Sequence, residues 1–187
     1  MQPERVQTAE SLEATIADAQ FGSAAAIETL YRTFAPLVIG YLRGAGSTDA
    51  EDLASDVFVA MVARLPRFAG DEAAFRRWLF TIAHHRLVDE RRRAATRRRM
   101  ADSIAASTEH VVLAGDDTLL DRIEAASVRS ALDVLTDDQR SVVLLRNVAE
   151  LSVADTAAVL AKREGAVKTL HRRALAAMRE HLGGVEA

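Results

Sequence analysis

The sequence predicts an all-α protein of two helical domains joined by a flexible linker. Apolar residues recur at three- and four-residue spacing, alternating β-branched runs are missing, and proline occurs only at positions 3, 36 and 66. The chain has 187 residues, 49% of them hydrophobic. This length and composition suit two small packed cores.

The first domain is predicted to span residues 1–99. A helix over about 9–19 is followed by a break at residues 21–23 and by a second helix from about 24 to 42. Pro36 lacks a backbone N–H, so it should start or kink the last part of this second helix.

Two further helices are expected in the same domain. The third carries apolar residues from Leu53 to Leu65, with Ser47, Thr48 or Asp49 as its cap, and Pro66 ends it. The fourth is long and should run from about residue 73 to residue 93 or beyond.

Helical periodicity fails after the fourth helix, and residues 100–122 are predicted to form an acidic, flexible linker. It returns in a second domain, residues 123–187. The last two helices, about 153–160 and 164–181, fit a helix-turn-helix, in which small Ala157 would let the helices approach closely.

The charge distribution indicates a polyanion as ligand. The net charge is only −3, but residues 76–99 hold nine basic and two acidic side chains, and residues 141–187 hold seven and five. Phosphate binding depends on such local potential. A charge run on a solvated helix end remains the alternative interpretation.

Composition also excludes several classes of protein. There is no cysteine, so disulfide scaffolds, thiolate zinc sites and thiol catalysis are all excluded. No apolar run approaches the ~18 residues of a membrane span, and the polar N-terminus differs from a secretory signal. We therefore expect a soluble cytoplasmic protein.

Aromatic and cationic residues alternate along residues 75–86 of the fourth helix. Aromatic rings stack on unpaired bases and Arg neutralises phosphates, which suits single-stranded or melting DNA. Alternatively, Phe75, Leu79 and Ile82 are core residues beneath a solvated arginine face. For Trp78, base stacking and partial burial in the core both remain open.

The helix-turn-helix would present basic and polar side chains to the major groove: Arg163, Lys168, Thr169, Arg172 and Arg173. Ala161 stands where such turns often have glycine, so a left-handed residue there would cost roughly 1 kcal/mol. A plain helical hairpin with a basic face is the competing interpretation.

A metal site is conceivable from His84, His85 and Asp89, but the spacing supplies an incomplete ligand set. No nucleophile–base arrangement and no phosphate-binding glycine loop is present. Neither a cofactor nor an enzymatic activity is expected.

Several segments, in order, resemble bacterial RNA polymerase sigma factors of the extracytoplasmic-function (ECF) class. They are residues 30–36, 51–58, 65–68, 75–83, 135–140, 142–146, 151–157 and 164–169. Their order and spacing, more than any single segment, make the resemblance specific. It covers nearly the whole chain.

The resemblance implies roles for individual residues. Core polymerase, at the clamp of its largest subunit, would bind Asp52, Leu53, Asp56 and Phe58. The minus-ten promoter element would bind Phe68, Asp71, Phe75, Arg76, Arg77, Trp78, His85 and Arg86. The minus-thirty-five element would bind the helix-turn-helix residues named above.

The resemblance also implies partners and alternatives. The second domain would rest on the flap of the second-largest polymerase subunit, and an anti-sigma factor is expected as inhibitor. A helix-turn-helix regulator that acts without polymerase is the runner-up, and a metal-dependent helical enzyme is the third hypothesis.

Overall fold

The computed structural model describes residues 9–101, here called the first module, and residues 127–183, the second module. Every regular element in these two ranges is helical. The all-α prediction is therefore confirmed. Apart from its first two positions, which belong to a helix, the predicted linker lies outside the described residues, and its flexibility remains an expectation.

The first module contains four α-helices: α1 (Ala9–Gln20), α2 (Ala24–Gly44), α3 (Ala50–Arg64) and α4 (Glu72–Ala101), with a 3-10 turn at Leu65–Arg67. Ser23 begins α2 with a side-chain cap, since its Oγ accepts from the N–H of Ala26 at 3.3 Å. The helix α2 passes through Pro36 without interruption.

The loop before α3 differs from its prediction. Asp49 occupies the position before the helix, but no side chain caps the first turn. The Ser47 and Thr48 hydroxyls instead donate to Glu90 Oε1 of α4, at 3.0 and 3.2 Å. These hydroxyls join the loop to another helix, since the half-buried carboxylate of Glu90 accepts from both.

The second module contains a helical segment α5 (residues 127–133), then α6 (Asp137–Asn147), α7 (Val153–Val159) and α8 (Glu164–Gly183). Thr136 and Gln139 form a reciprocal capping box at the start of α6. Ser152 caps α7 by accepting from the N–H of Asp155 at 3.0 Å. The two final helices lie close to their predicted bounds.

The two modules share one hydrophobic core cluster. It runs from α1 to α4 and continues into Leu144, Leu145 and Leu151 of the second module. A smaller cluster of Val142, Ala157 and Val167 lies within the helix-turn-helix. In the described ranges, no helix combines the length and apolarity needed to cross a membrane.

Candidate nucleic-acid interface

Three aromatic rings lie together where α4 begins. The ring centroids of Phe68 and Trp78 are 5.1 Å apart, and Phe75 lies 5.6 and 5.7 Å from them. Phe75 is fully buried, whereas Phe68 and Trp78 are partly exposed. Of the three predicted base-binding rings, the two outer ones could contact DNA and Phe75 supports them from below.

The loop before α4 is held in one conformation. Gly70 has a φ of +152°, and a Cβ there would lie 2.6 Å from Ala74 Cβ, so the position requires glycine. Asp71 Oδ1 accepts from the N–H of Ala74 at 2.8 Å and thereby caps α4. The Gln20 side chain donates to the carbonyl oxygens of Leu65 and Phe68. Sequence reasoning missed this brace because it joins distant segments.

Arg76 and Arg77 do not form the free cationic face that the sequence suggested. Arg76 pairs with Glu72 at 3.4 Å and with Glu150 of the second module at 3.5 Å. Arg77 pairs with Asp155 of α7 at 2.9 Å. Both predicted DNA-binding arginines therefore contact carboxylates of the other module.

His85 and Arg86 lie further along α4, beside the end of α3. They line a polar groove of about 450 Å³ whose other lining residues are Arg64, Ile82, Val88, Asp89 and Arg92. Three arginines line this groove, and Asp89 is the one carboxylate among its lining residues. The groove keeps an excess of positive charge, as phosphate binding requires.

His84 faces the interior and not this groove. Its Nδ1 lies 2.8 Å from the hydroxyl of buried Tyr41. Burial, helped by the charges of His85 and Arg91, lowers the pKa of His84 from 6.5 to about 4. No group of three or more potential ligands that could hold a metal is found in residues 9–101 and 127–183. The hypothesis of a metal site at His84, His85 and Asp89 therefore has no structural support.

The outer face of α3 carries most of the predicted polymerase contacts. Asp52 and Asp56 are exposed one turn apart, and Leu53 is half-buried. Phe58 is 6% exposed and sets its ring edge-on against Tyr31 at 4.8 Å. Phe58 thus supports the helix from inside and offers little surface to a partner.

Two valines on α3 complete this exposed face. Val59 is 71% exposed and Val62 is 38% exposed, both large for apolar side chains of a packed helix. Exposed apolar residues beside acidic ones are common at protein–protein interfaces.

The helix-turn-helix is built as its spacing predicts. Ala157 packs with Val167 in the small core cluster, and Leu160 and Leu170 border it. Ala161 adopts the left-handed conformation expected at the turn, with φ of +51°.

The recognition helix α8 displays its predicted side chains with different availability. Arg163, directly before the helix, and Lys168, Arg172 and Arg173 on it are exposed, and none forms an ion pair with a described residue. The Thr169 hydroxyl donates to the Gly165 carbonyl at 2.9 Å, so it is already bonded within the helix.

A groove of about 310 Å³ extends this cationic face. Lys168 and Arg172 line it together with Arg146, His171 and Arg179, which sequence reasoning did not select. Burial and then Arg146 lower the pKa of His171. Because no carboxylate lines the groove, it suits an anion such as a DNA phosphate.

Two family models match the chain. Sigma-70 region 2 matches residues 30–98 and sigma-70 region 4 matches residues 125–178. The first match begins within α2 and ends within α4, and the second covers α7 and most of α8.

Named relatives agree with these matches. The ECF sigma factor BldN of Streptomyces coelicolor is 33% identical over 159 residues, which span 84% of this chain and 60% of BldN. The ECF sigma factor SigD of Mycobacterium tuberculosis is 31% identical over 96% of this chain and 88% of SigD. In fold, the chain is similar to the sigma factor RpoE of Bartonella quintana, whose structure was solved in complex with the anti-sigma factor NepR. The TM-score is 0.69 at 23% identity, and the match covers 83% of this chain and 96% of RpoE.

The described geometry and these matches agree on an aromatic loop before a basic helix in one module and a helix-turn-helix with an exposed cationic face in the other. The chain belongs to the ECF class of RNA polymerase sigma factors, and its function is promoter recognition together with RNA polymerase.

Proposed function

We propose that the two modules divide promoter recognition between them. Residues 1–99 would bind the polymerase clamp and the minus-ten element, and residues 123–187 would bind the flap of the second-largest subunit and the minus-thirty-five element. The protein would act in the cytoplasm and catalyse no reaction itself. The observation that carries this proposal is the exposed cationic face of α8, which forms no ion pair within residues 9–101 and 127–183, in a chain of this family.

Contacts with the upstream element would come from α8. Exposed Lys168 and Arg172 stand one turn apart and can reach the base edges or phosphates of a major groove. The groove cations Arg146 and Arg179 would hold a flanking phosphate. Such contacts make affinity strongly dependent on salt.

Contacts with the downstream element would come from the start of α4. Phe68 and Trp78 offer partly exposed rings to an unstacked base, and stacking of this kind contributes about 1–3 kcal/mol per base. His85 and Arg86 line the polar groove that could follow the strand. Trapping unpaired bases in this way would favour melted DNA.

Polymerase would bind the outer face of α3, where Asp52 and Asp56 stand beside exposed Val59 and Val62. An anti-sigma factor is a further proposed partner, because RpoE, which shares this fold, was solved with one. Two modules on one polymerase also raise each other's effective concentration, so neither needs high affinity alone.

The experiment combines purified core polymerase with the Asp52→Arg/Asp56→Arg variant. We expect core binding to fall at least about tenfold with helicity unchanged, because two charges on the proposed docking face are reversed. Glu13→Arg/Glu28→Arg is the matched control, since these exposed acids lie on α1 and α2. Equal core affinity of the variant and the control would contradict the docking role of α3.

Run-off transcription tests the wider proposal. Wild-type protein should direct core polymerase to start at promoters mapped after its overexpression. If the free protein instead shifts duplex DNA tightly and leaves core polymerase inactive at those promoters, the regulator that acts without polymerase is the correct function.

A further inference from the structure

The first module carries a surface shaped to receive the second. Gly40 and Gly44 lie one turn apart on α2, and a Cβ at Gly44 would come within 2.8 Å of Leu144 Cδ2. The three heavy atoms nearest to that position all belong to Leu144 of α6. At Gly40 the only neighbour within 4 Å is Val148 Cγ1, at 3.6 Å. The absence of side chains on α2 thus lets α6 pack directly against its backbone.

Polar groups close the same contact. The hydroxyl of Tyr41, which is fully buried on α2, lies 2.8 Å from Nδ1 of His84 on α4, and Ser141 of α6 lies beside the same hydroxyl. Ser141 is itself only 3% exposed. A polar cluster buried between the modules constrains their relative position, because its groups have to find their partners within it.

Three ion pairs join α4 to the second module. Their nitrogen–oxygen distances are 3.5 Å for Arg76–Glu150, 2.9 Å for Arg77–Asp155 and 3.3 Å for Arg91–Asp137. Every cation lies on α4 and every carboxylate lies on the second module. The two surfaces are therefore complementary in charge as well as in shape.

The position of these pairs has a functional consequence. Helix α7 lies against α4. Glu150, which precedes α7, pairs with Arg76, and Asp155 of α7 pairs with Arg77. A carboxylate bound to an arginine takes the place that a phosphate would need. The cations of α8 stay exposed in the same arrangement.

We propose that the second module is the intramolecular partner of the α2–α4 face of the first module, and that this docking masks the minus-ten site. Arg76 and Arg77 become available to DNA only when the modules separate. The masking part of this inference rests on the proposed role of the two arginines, whereas the docking itself rests on contacts alone.

A wedge variant tests the docking. Gly44→Val places a side chain where only Leu144 stands, so it should separate the modules and leave each one folded. Gly40→Ala is the matched control, since its added Cβ would meet Val148 at an ordinary 3.6 Å. Circular dichroism should show equal helicity for both variants.

Spin labels measure the separation directly. The chain has no cysteine, so Val59→Cys and Ala176→Cys give one labelled site on the exposed surface of each module. We expect a single narrow distance distribution for wild type and for Gly40→Ala, and a broad distribution for Gly44→Val. A broad distribution in wild type would overturn the docking.

Charge reversal tests the masking. The probe is a fluorescent 15-nucleotide single-stranded DNA of mixed sequence, and the variant is Asp137→Lys/Glu150→Lys. The control Asp133→Lys/Asp138→Lys adds the same charge but breaks pairs within the second module, those with Arg140 and Lys162. We expect the variant to bind the probe roughly 3- to 10-fold more tightly than the control, since two cross-module pairs are lost.

The outcomes separate the two claims. In one outcome, Asp137→Lys/Glu150→Lys and its control bind the probe equally, while Gly44→Val separates the spin labels. This outcome would overturn the masking and leave the docking intact. If separated modules bind the probe no better than closed ones yet run-off transcription succeeds, the proposed function stands and only the masking inference fails.

Discussion

Helices α4 and α8 both carry basic side chains, but those at the start of α4 are paired with carboxylates and those on α8 are exposed. At the start of α4, Arg76 and Arg77 are engaged by carboxylates from the second module. On α8, Lys168 and Arg172 are exposed and form no ion pair in the part of the chain described. Arginine content alone therefore does not tell whether a helix is ready to bind DNA.

The difference arises from what lies opposite each helix. Helix α4 faces inward on one side and the second module on another, so its cations meet acidic residues of the same chain. Helix α8 buries Val167 and Ala174, and it packs Leu170, Ala177 and Met178 against the core on the same side. Its remaining surface stays available to an external polyanion.

The largest expected effect concerns the inward side of α4. The charged groups that face His84 are His85, Arg91, Asp138 and Lys162. Because the folded pKa is about 4 and the unfolded value is 6.5, the unfolded chain binds the proton more tightly. Stability is therefore present above pH 6.5 and is lost as the pH falls towards 4, by up to about 3 kcal/mol at ~1.4 kcal/mol per pKa unit.

Denaturant unfolding between pH 7 and pH 4 measures this loss. The His84→Gln variant should remove most of it, whereas His171→Gln on the recognition helix should remove less, since His171 is less deeply placed. Equal pH slopes for wild type and His84→Gln would show that the buried histidine does not set the acid sensitivity.

The second prediction compares the two helices directly. Lys168→Ala/Arg172→Ala should weaken duplex DNA binding by the free protein by about 2 kcal/mol and lower the salt slope by about 2, because two phosphate-facing cations are removed. Arg76→Ala/Arg77→Ala should change free-protein binding much less, since those cations are already paired.

Fluorescence anisotropy over a salt series gives both slopes. With core polymerase present, the Arg76→Ala/Arg77→Ala variant should no longer be the milder of the two. It should then impair open-complex formation. A salt slope for the Lys168 and Arg172 variant equal to that of wild type would mean that α8 does not face DNA.

The smallest effect is expected at the turn before α8. Ala161→Gly should stabilise the protein by about 0.5–1 kcal/mol, because Ala161 holds φ at +51° without the freedom of glycine. Glu150 is also left-handed, with φ of +54°, but Glu150→Gly also removes the contact to Arg76. Thermal unfolding should therefore show a smaller gain for Glu150→Gly, and a loss at Ala161→Gly would exclude backbone strain there.

Sequence patterns predicted the helices well where the controlling interactions are local. Helices α7 and α8 begin and end near their predicted bounds, since apolar spacing and the Ser152 cap lie within each segment. The Ala157–Val167 contact followed from the same spacing. The cap predicted for α3 is not formed, since Asp49 stands before the helix without a side-chain cap bond, and the Ser47 and Thr48 hydroxyls donate to Glu90, more than forty residues away.

By itself, the sequence determined the all-α class, the helix-turn-helix and the family, because periodicity, caps and motif order depend on neighbouring residues. Tertiary structure decided which predicted contacts are available. Phe58 and Phe75 became core residues, and Arg76 and Arg77 met carboxylates 74 and 78 positions further along the chain. Coulomb attraction and burial act through space, so no local pattern could show that one set of arginines is covered and the other is free.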